Sequence, residues 1–215
     1  MNKEEYWKKI LDSIEHLTDR LGMPVDQEIK EAVAGLNANG INTISSCGGH
    51  VDKDNQAFPW ISCQAPNMPR YRYIDEENLL KIIADKFKIK PDEIFYYGNE
   101  KAEKEYYLMT HDVPSTKEYL EWDIKNIYLQ KKVKDVLSGF YLGGKHTKDV
   151  KIEYGVVYPG CNINVTEADE ELWKKSLSRD ELNKKIKESQ KEMEYFGAFL
   201  KDIYMESEKI DRNKI

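Results

Sequence analysis

The stretch Ile41-Asn42-Thr43-Ile44-Ser45-Ser46-Cys47-Gly48-Gly49-His50 decides how this chain is read. Residues 41–46 carry the period-two patterning of a strand, and the Gly-Gly pair directly after them requires a tight turn. Phe58 to Gln64 reads as a second strand after a polar loop of about ten residues, so the two are expected to form a hairpin.

Helical patterns flank this hairpin. Upstream, Trp7, Ile10, Leu11, Ile14, Leu17 and Leu21 predict a helix over 3–21, and Gly22 and Pro24 end it. Asp26 is the expected N-cap of a second helix carrying Ile29, Val33 and Leu36, which Asn39-Gly40 closes. Downstream, a helix is expected over 75–87, then aromatic strands over 93–97 and 106–110. Ser115-Thr116-Lys117-Glu118 has capping-box spacing and opens a helix running to Gly139. Strands follow over 150–158 and 162–165, broken by Pro159-Gly160. Thr166 and Ser178 are expected to cap two final helices. In the last of these, 179–207, Leu182, Ile186, Ser189, Met193, Phe196, Leu200 and Ile203 form a narrow seam. That seam suits packing on its own domain or a homodimer arm.

The expected fold class is therefore α/β or α+β: one mixed sheet flanked by amphipathic helices, with a long C-terminal helix. A single domain over 1–178 carries the 179–207 helix, and 208–215 is a polar tail expected to fray. Leu, Ile, Val and Phe make up 50 of 215 residues, enough for a core, although mean hydropathy is −0.73. No apolar run reaches the roughly 18 residues of a membrane span, and the first residues lack the pattern of a secretory signal. The expected location is cytoplasmic, without membrane partners. Three cysteines, an odd number in a chain of this size, fit a reducing compartment.

Thr43, Ser45, Ser46, Cys47 and His50 concentrate hydroxyl, thiol and imidazole groups where a strand meets a glycine turn, a position at which ligands gather in α/β sheets. Ser46, Cys47 and His50 are the candidate catalytic groups. Thr43, Ser45, Gly48, Gly49, Trp60 and His111 are the candidate ligand contacts, with the backbone N–H groups of the glycines available to form an anion nest. Cys47 has three readings. It is a thiolate activated by His50, a zinc ligand with His50 and Cys63 completed by His111, His146 or Cys161, or a small buried hydrophobe facing Cys63. His111 precedes Asp112, a carboxylate able to orient an acid or base, and His146 follows a glycine loop able to close on an anion. Asp52 and Asp54 are further polar candidates, and His16 reads as solvated. Arg70-Tyr71-Arg72-Tyr73 interleaves cations and rings as base-stacking surfaces do, but a net charge of −6 disfavours a nucleic-acid partner such as tRNA.

A helix closing on Leu36-Asn37, a strand into Thr43, Ser45-Ser46-Cys47 and Gly49, and a strand opening Pro59-Trp60-Ile61 resemble the tRNA wybutosine-synthesizing protein 3 family. The resemblance spans residues 28–65. It implies an α/β fold and S-adenosylmethionine-dependent methylation of a modified guanosine in phenylalanine tRNA, with the serines and His50 orienting the acceptor. No Gly-x-Gly-x-x-Gly cofactor fingerprint accompanies it. The functional expectation is a small polar or nucleotide-like ligand at the 43–50 turn, with methyl transfer as its specific form. A non-enzymatic assembly module using the C-terminal helix and a zinc protein are the alternatives.

Overall fold

A computed structural model describes residues 2–18, 22–51, 56–143 and 145–207. The 208–215 tail and Asp52 and Asp54 lie outside the described residues. The elements are α1 (Lys3–Glu15), α2 (Lys30–Ala38), β1 (Thr43–Cys47), β2 (His50–Val51), β3 (Gln56–Ala57), β4 (Trp60–Cys63), α3 (Glu76–Phe87), α4 (Glu100–Thr110), α5 (Lys117–Gly143), β5 (Ile152–Val157), β6 (Gly160–Val165), α6 (Glu167–Ser176) and α7 (Arg179–Glu206). The chain divides into two compact units, residues 1–65 with 126–215, and residues 66–125, where the sequence anticipates one domain over 1–178. The boundary falls within α5.

In the first unit, β1, β4, β6 and β5 form one sheet in that order, and every pair is antiparallel. The α/β class is thus realised in its α+β form. The expected β1–β4 pairing is present, and the loop between these strands holds the two-stranded β2–β3 ribbon. Register assigns the two faces. Ile61, Cys63, Cys161, Ile163 and Ile152 are almost wholly buried and face the helices. The alternate positions Trp60, Ser62, Asn162, Asn164 and Glu153 form a polar outer face, as an antiparallel sheet permits.

Met193, Phe196 and Leu200 of α7 pack with Val33 and Leu36 of α2 over the inner face. The two helices approach closely because they meet at glycines. A Cβ on Gly35 would lie 2.5 Å from the Leu200 Cβ, and one on Gly197 would lie 2.8 Å from the Ala32 nitrogen. Each fully buried apolar side chain contributes about 1.5–3 kcal/mol. Leu182, Ile186, Ser189, Met193, Phe196 and Leu200 are buried in this unit and Ile203 is half-buried, so the seam packs on its own unit. Val133, Leu137 and Phe140 of α5 complete the core, and Gly139 lets that helix continue beside Phe199.

Capping explains several boundaries. Thr166 accepts the Asp169 N–H at 3.0 Å, and Ser178 exchanges bonds with Glu181, as the spacing predicts. Thr116 caps α5 instead of Ser115 by accepting the Tyr119 N–H at 3.2 Å. α1 ends at Glu15, short of residue 21, and a Thr18–Pro24 bridge follows.

The second unit corrects the strands expected over 93–97 and 106–110. Residues 94–98 form turns and 100–110 form α4. The charged segment between them, Glu100-Lys101-Ala102-Glu103-Lys104-Glu105, is made of strong helix formers. It places Ala102 and Tyr106 one turn apart against Ile83 and Ile94. The buried Glu76 carboxylate accepts the Tyr106 hydroxyl at 2.5 Å and the Tyr73 N–H at 2.8 Å.

Candidate functional site

A β-bulge between Thr43 and Ser45 shapes the start of β1. Ile44 is the extra residue and is exposed, so every later side chain lies on the face opposite to simple alternation. Ser45 and Cys47 consequently join Ser62 and Trp60 on the polar outer face, whereas Thr43 and Ser46 lie in register with Cys63 and Ile61 on the helix-facing side. The bulge therefore divides the expected catalytic set. Thr43 also accepts the Asn37 side-chain N–H at 2.8 Å, which ties β1 to the end of α2.

The turn after Cys47 is held from both sides. The Asp26 carboxylate accepts the Gly48 N–H at 2.5 Å, and the Gln190 amide of α7 donates to the Gly48 carbonyl at 2.9 Å and the Gly49 carbonyl at 3.3 Å. The Cys47 sulfur accepts the Gly49 N–H at 3.4 Å. Both N–H groups of the expected anion nest are thus engaged within the protein. The glycines permit close packing: a Cβ on Gly48 would lie 2.6 Å from the Asp26 Cβ, and one on Gly49, at φ +85°, would lie 2.9 Å from Pro59 Cδ. Gly48 and Gly49 are therefore scaffold at the backbone level, not an anion cradle. Asp26 acts here and not as the cap of α2, which starts at Lys30 without a side-chain cap. Neither Asp26 nor Gln190 is identifiable in the sequence as part of the turn, because the contacts join residues 22 and about 140 positions apart.

Cys47 Sγ stands 3.7 Å from His50 Nδ1, so the structure brings together the Cys-x-x-His pair. Cys47, His50 and Trp60 are all partly exposed. Burial pushes the Cys47 thiol above the ordinary thiol range and the Asp26 carboxylate adds to that rise, against the lowering effect of the Gly49 N–H. The thiol is held protonated at neutral pH, which opposes the reading of a standing thiolate.

The proposed zinc set is not assembled. Cys63 pairs in register with Thr43 and Cys161, while Cys47 pairs with Trp60, three residue steps along β4, roughly 10 Å away, and on the other face. The partner of Cys63 is thus Cys161 and not Cys47. Among the described residues, no group of three His, Cys, Asp or Glu side chains is placed to hold a metal ion. His111 belongs to the second unit, where it caps α4 and contacts Asp112 at 2.9 Å, as the neighbouring carboxylate predicts. His146 packs at a tilt against Tyr141, with ring centroids 5.4 Å apart, and contacts the Thr147 carbonyl. His16 contacts the Asp12 carbonyl at the end of α1 and is exposed. Arg72 lies over the Tyr73 and Tyr119 rings, at 4.9 and 5.2 Å, so this cation and these rings pack on one another.

No family model matches this chain, and neither a curated protein nor a solved structure does. The resemblance over residues 28–65 rests on the residues that carry it. Among the described residues, no helix is long and apolar enough to cross a membrane.

Proposed function

We propose that this chain binds a small polar or nucleotide-like ligand at the sheet corner that Cys47 shares with His50 and Trp60. The observation that carries the proposal is the 3.7 Å contact between Cys47 Sγ and His50 Nδ1 on a turn locked by Asp26 and Gln190. Polar side chains that are partly exposed yet mounted on a fixed backbone lose little freedom when they engage a ligand. Ser45 adds a hydroxyl on the same face, and the Trp60 ring beside Cys47 supplies a flat apolar surface. With its thiol protonated, Cys47 takes part as a hydrogen-bonding group.

S-adenosylmethionine, the cofactor the resemblance implies, finds no backbone anion cradle at this turn. Its amino-acid carboxylate needs unengaged donors, but the Gly48 and Gly49 N–H groups are bonded to Asp26 and Cys47, and the nearest turn-fixing charge is itself a carboxylate. No methyl-transfer step is derived, and methylation of a tRNA guanosine is a reading supported by the resemblance alone.

Alkylation of Cys47 by iodoacetamide in the full chain tests the proposal. The common ribonucleosides, their 5′-monophosphates and S-adenosylmethionine serve as probes. A nucleoside or nucleotide is expected to slow the alkylation and raise the unfolding midpoint, and Trp60→Ala is expected to abolish the protection. No protection by any of these probes overturns the proposal, and protection by S-adenosylmethionine alone replaces it with the methyltransferase reading.

A further inference from the structure

Cys63 and Cys161 are direct partners in the antiparallel β4–β6 ladder, and each is only 1% exposed. Such partners have Cα atoms about 4.5–5.5 Å apart, within the range that a disulfide spans. Both cysteines are free thiols. The fold brings them together by a specific device. Gly160 begins β6 where a Cβ would collide with the Cys63 carbonyl at 2.2 Å, so only glycine lets the strand enter at this distance. The Gln130 amide holds the same turn, donating to the Pro159 carbonyl at 2.9 Å and the Gly160 carbonyl at 3.1 Å.

We propose that Cys63 and Cys161 are a modification site, a dithiol that a hydroperoxide converts to a cross-strand disulfide. The two thiols are chemically unequal. The interaction between the paired thiols pushes Cys63 up and Cys161 down; burial raises both, and the Lys134 ammonium favours the Cys161 thiolate. Cys161 is accordingly the sulfur that attacks. Its thiolate displaces hydroxide from hydrogen peroxide and becomes a sulfenic acid, and the Cys63 proton neutralises that hydroxide to water. The Cys63 sulfur then attacks the sulfenic sulfur and expels the second oxygen, which leaves as water with the remaining proton. The balance is two thiols and one peroxide to one disulfide and two waters, with both electrons passing from sulfur to oxygen. The new bond would close the segment 64–160, which contains the whole of the 66–125 unit, and the chain leaves the first unit at Ala65, two residues beyond Cys63. Closing so long a segment restricts the unfolded chain and stabilises the fold.

The test uses the full chain with Cys47 blocked, either as Cys47→Ser or by prior alkylation of the native protein with iodoacetamide. After treatment with hydrogen peroxide, the mass is expected to fall by two hydrogens and a Cys63–Cys161 linked peptide to appear. The unfolding midpoint rises, and dithiothreitol reverses all three changes. A Cys161→Ser change in the blocked background abolishes the mass loss. Two thiols that persist through the treatment, or cysteines that gain oxygen without linking, overturn the proposal. Neither result bears on ligand binding at Cys47, which lies on the opposite face.

Discussion

Asp26 accepts the backbone N–H of Gly48 at 2.5 Å, across 22 residues, and so joins the approach to α2 to the turn that presents Cys47 and His50. Asp26→Ala leaves the N–H of a buried glycine without that acceptor. The expected cost is about 1–2 kcal/mol, read as a lowered urea midpoint with an unchanged slope. Asp26→Asn keeps an acceptor oxygen and is expected to lose less.

The same carboxylate raises the Cys47 thiol. Asp26→Asn removes the negative charge, so the alkylation rate of Cys47 should begin its alkaline rise at a lower pH than in the native chain. An unchanged or higher onset would contradict this electrostatic assignment. In the folded native chain, Cys47 should alkylate first, with buried Cys63 and Cys161 reacting only as the protein opens.

Gly197→Ala tests the α2–α7 crossing. Alanine is the better helix former by about 1 kcal/mol, but its Cβ meets the Ala32 backbone nitrogen at 2.8 Å, and backbone cannot rotate away. The net expectation is a loss of about 1–3 kcal/mol in chemical denaturation. A stabilised variant would mean that the helices do not meet at this glycine.

Tyr141 gives a pH dependence. Burial pushes its phenol above the ordinary range, and its 2.8 Å bond to the buried Glu192 adds to the shift, against the lowering effect of the Ile152 N–H. A raised phenol contributes stability that is fully present below the unfolded-state value, about 10, and is lost as pH climbs above it. The urea midpoint should therefore fall as pH rises above about 10, and fall less steeply in Tyr141→Phe. That variant should also be less stable at neutral pH by about 1–3 kcal/mol, because the Glu192 oxygen and the Ile152 N–H lose a partner.

Much of the fold is legible in the chain because its signals are local. Thr166 and Ser178 bond the residues three positions on, and the 179–206 seam repeats at helical spacing. Residues 100–110 mislead because Tyr106 and Tyr107 favour strands by composition, while contacts of Ala102 and Tyr106 with Ile83 and Ile94 select a helix. At the site, Cys47 and His50 are near in sequence and near in space. The bulge at Ile44 is not legible, since an extra residue is defined only against the partner strand, and it reverses the faces of Ser45 and Ser46.

The sequence by itself determined most helix and strand positions, the caps of the last two helices and the Cys-x-x-His pairing, all consequences of interactions within a few residues. Tertiary structure alone decided that Asp26 and Gln190 lock the turn, that Cys63 faces Cys161 instead of Cys47, and that α2 packs on Met193, Phe196 and Leu200 of the C-terminal seam. Those outcomes depend on strand register and helix crossing, in which groups far apart in the chain satisfy one another's hydrogen bonds and exclude water together.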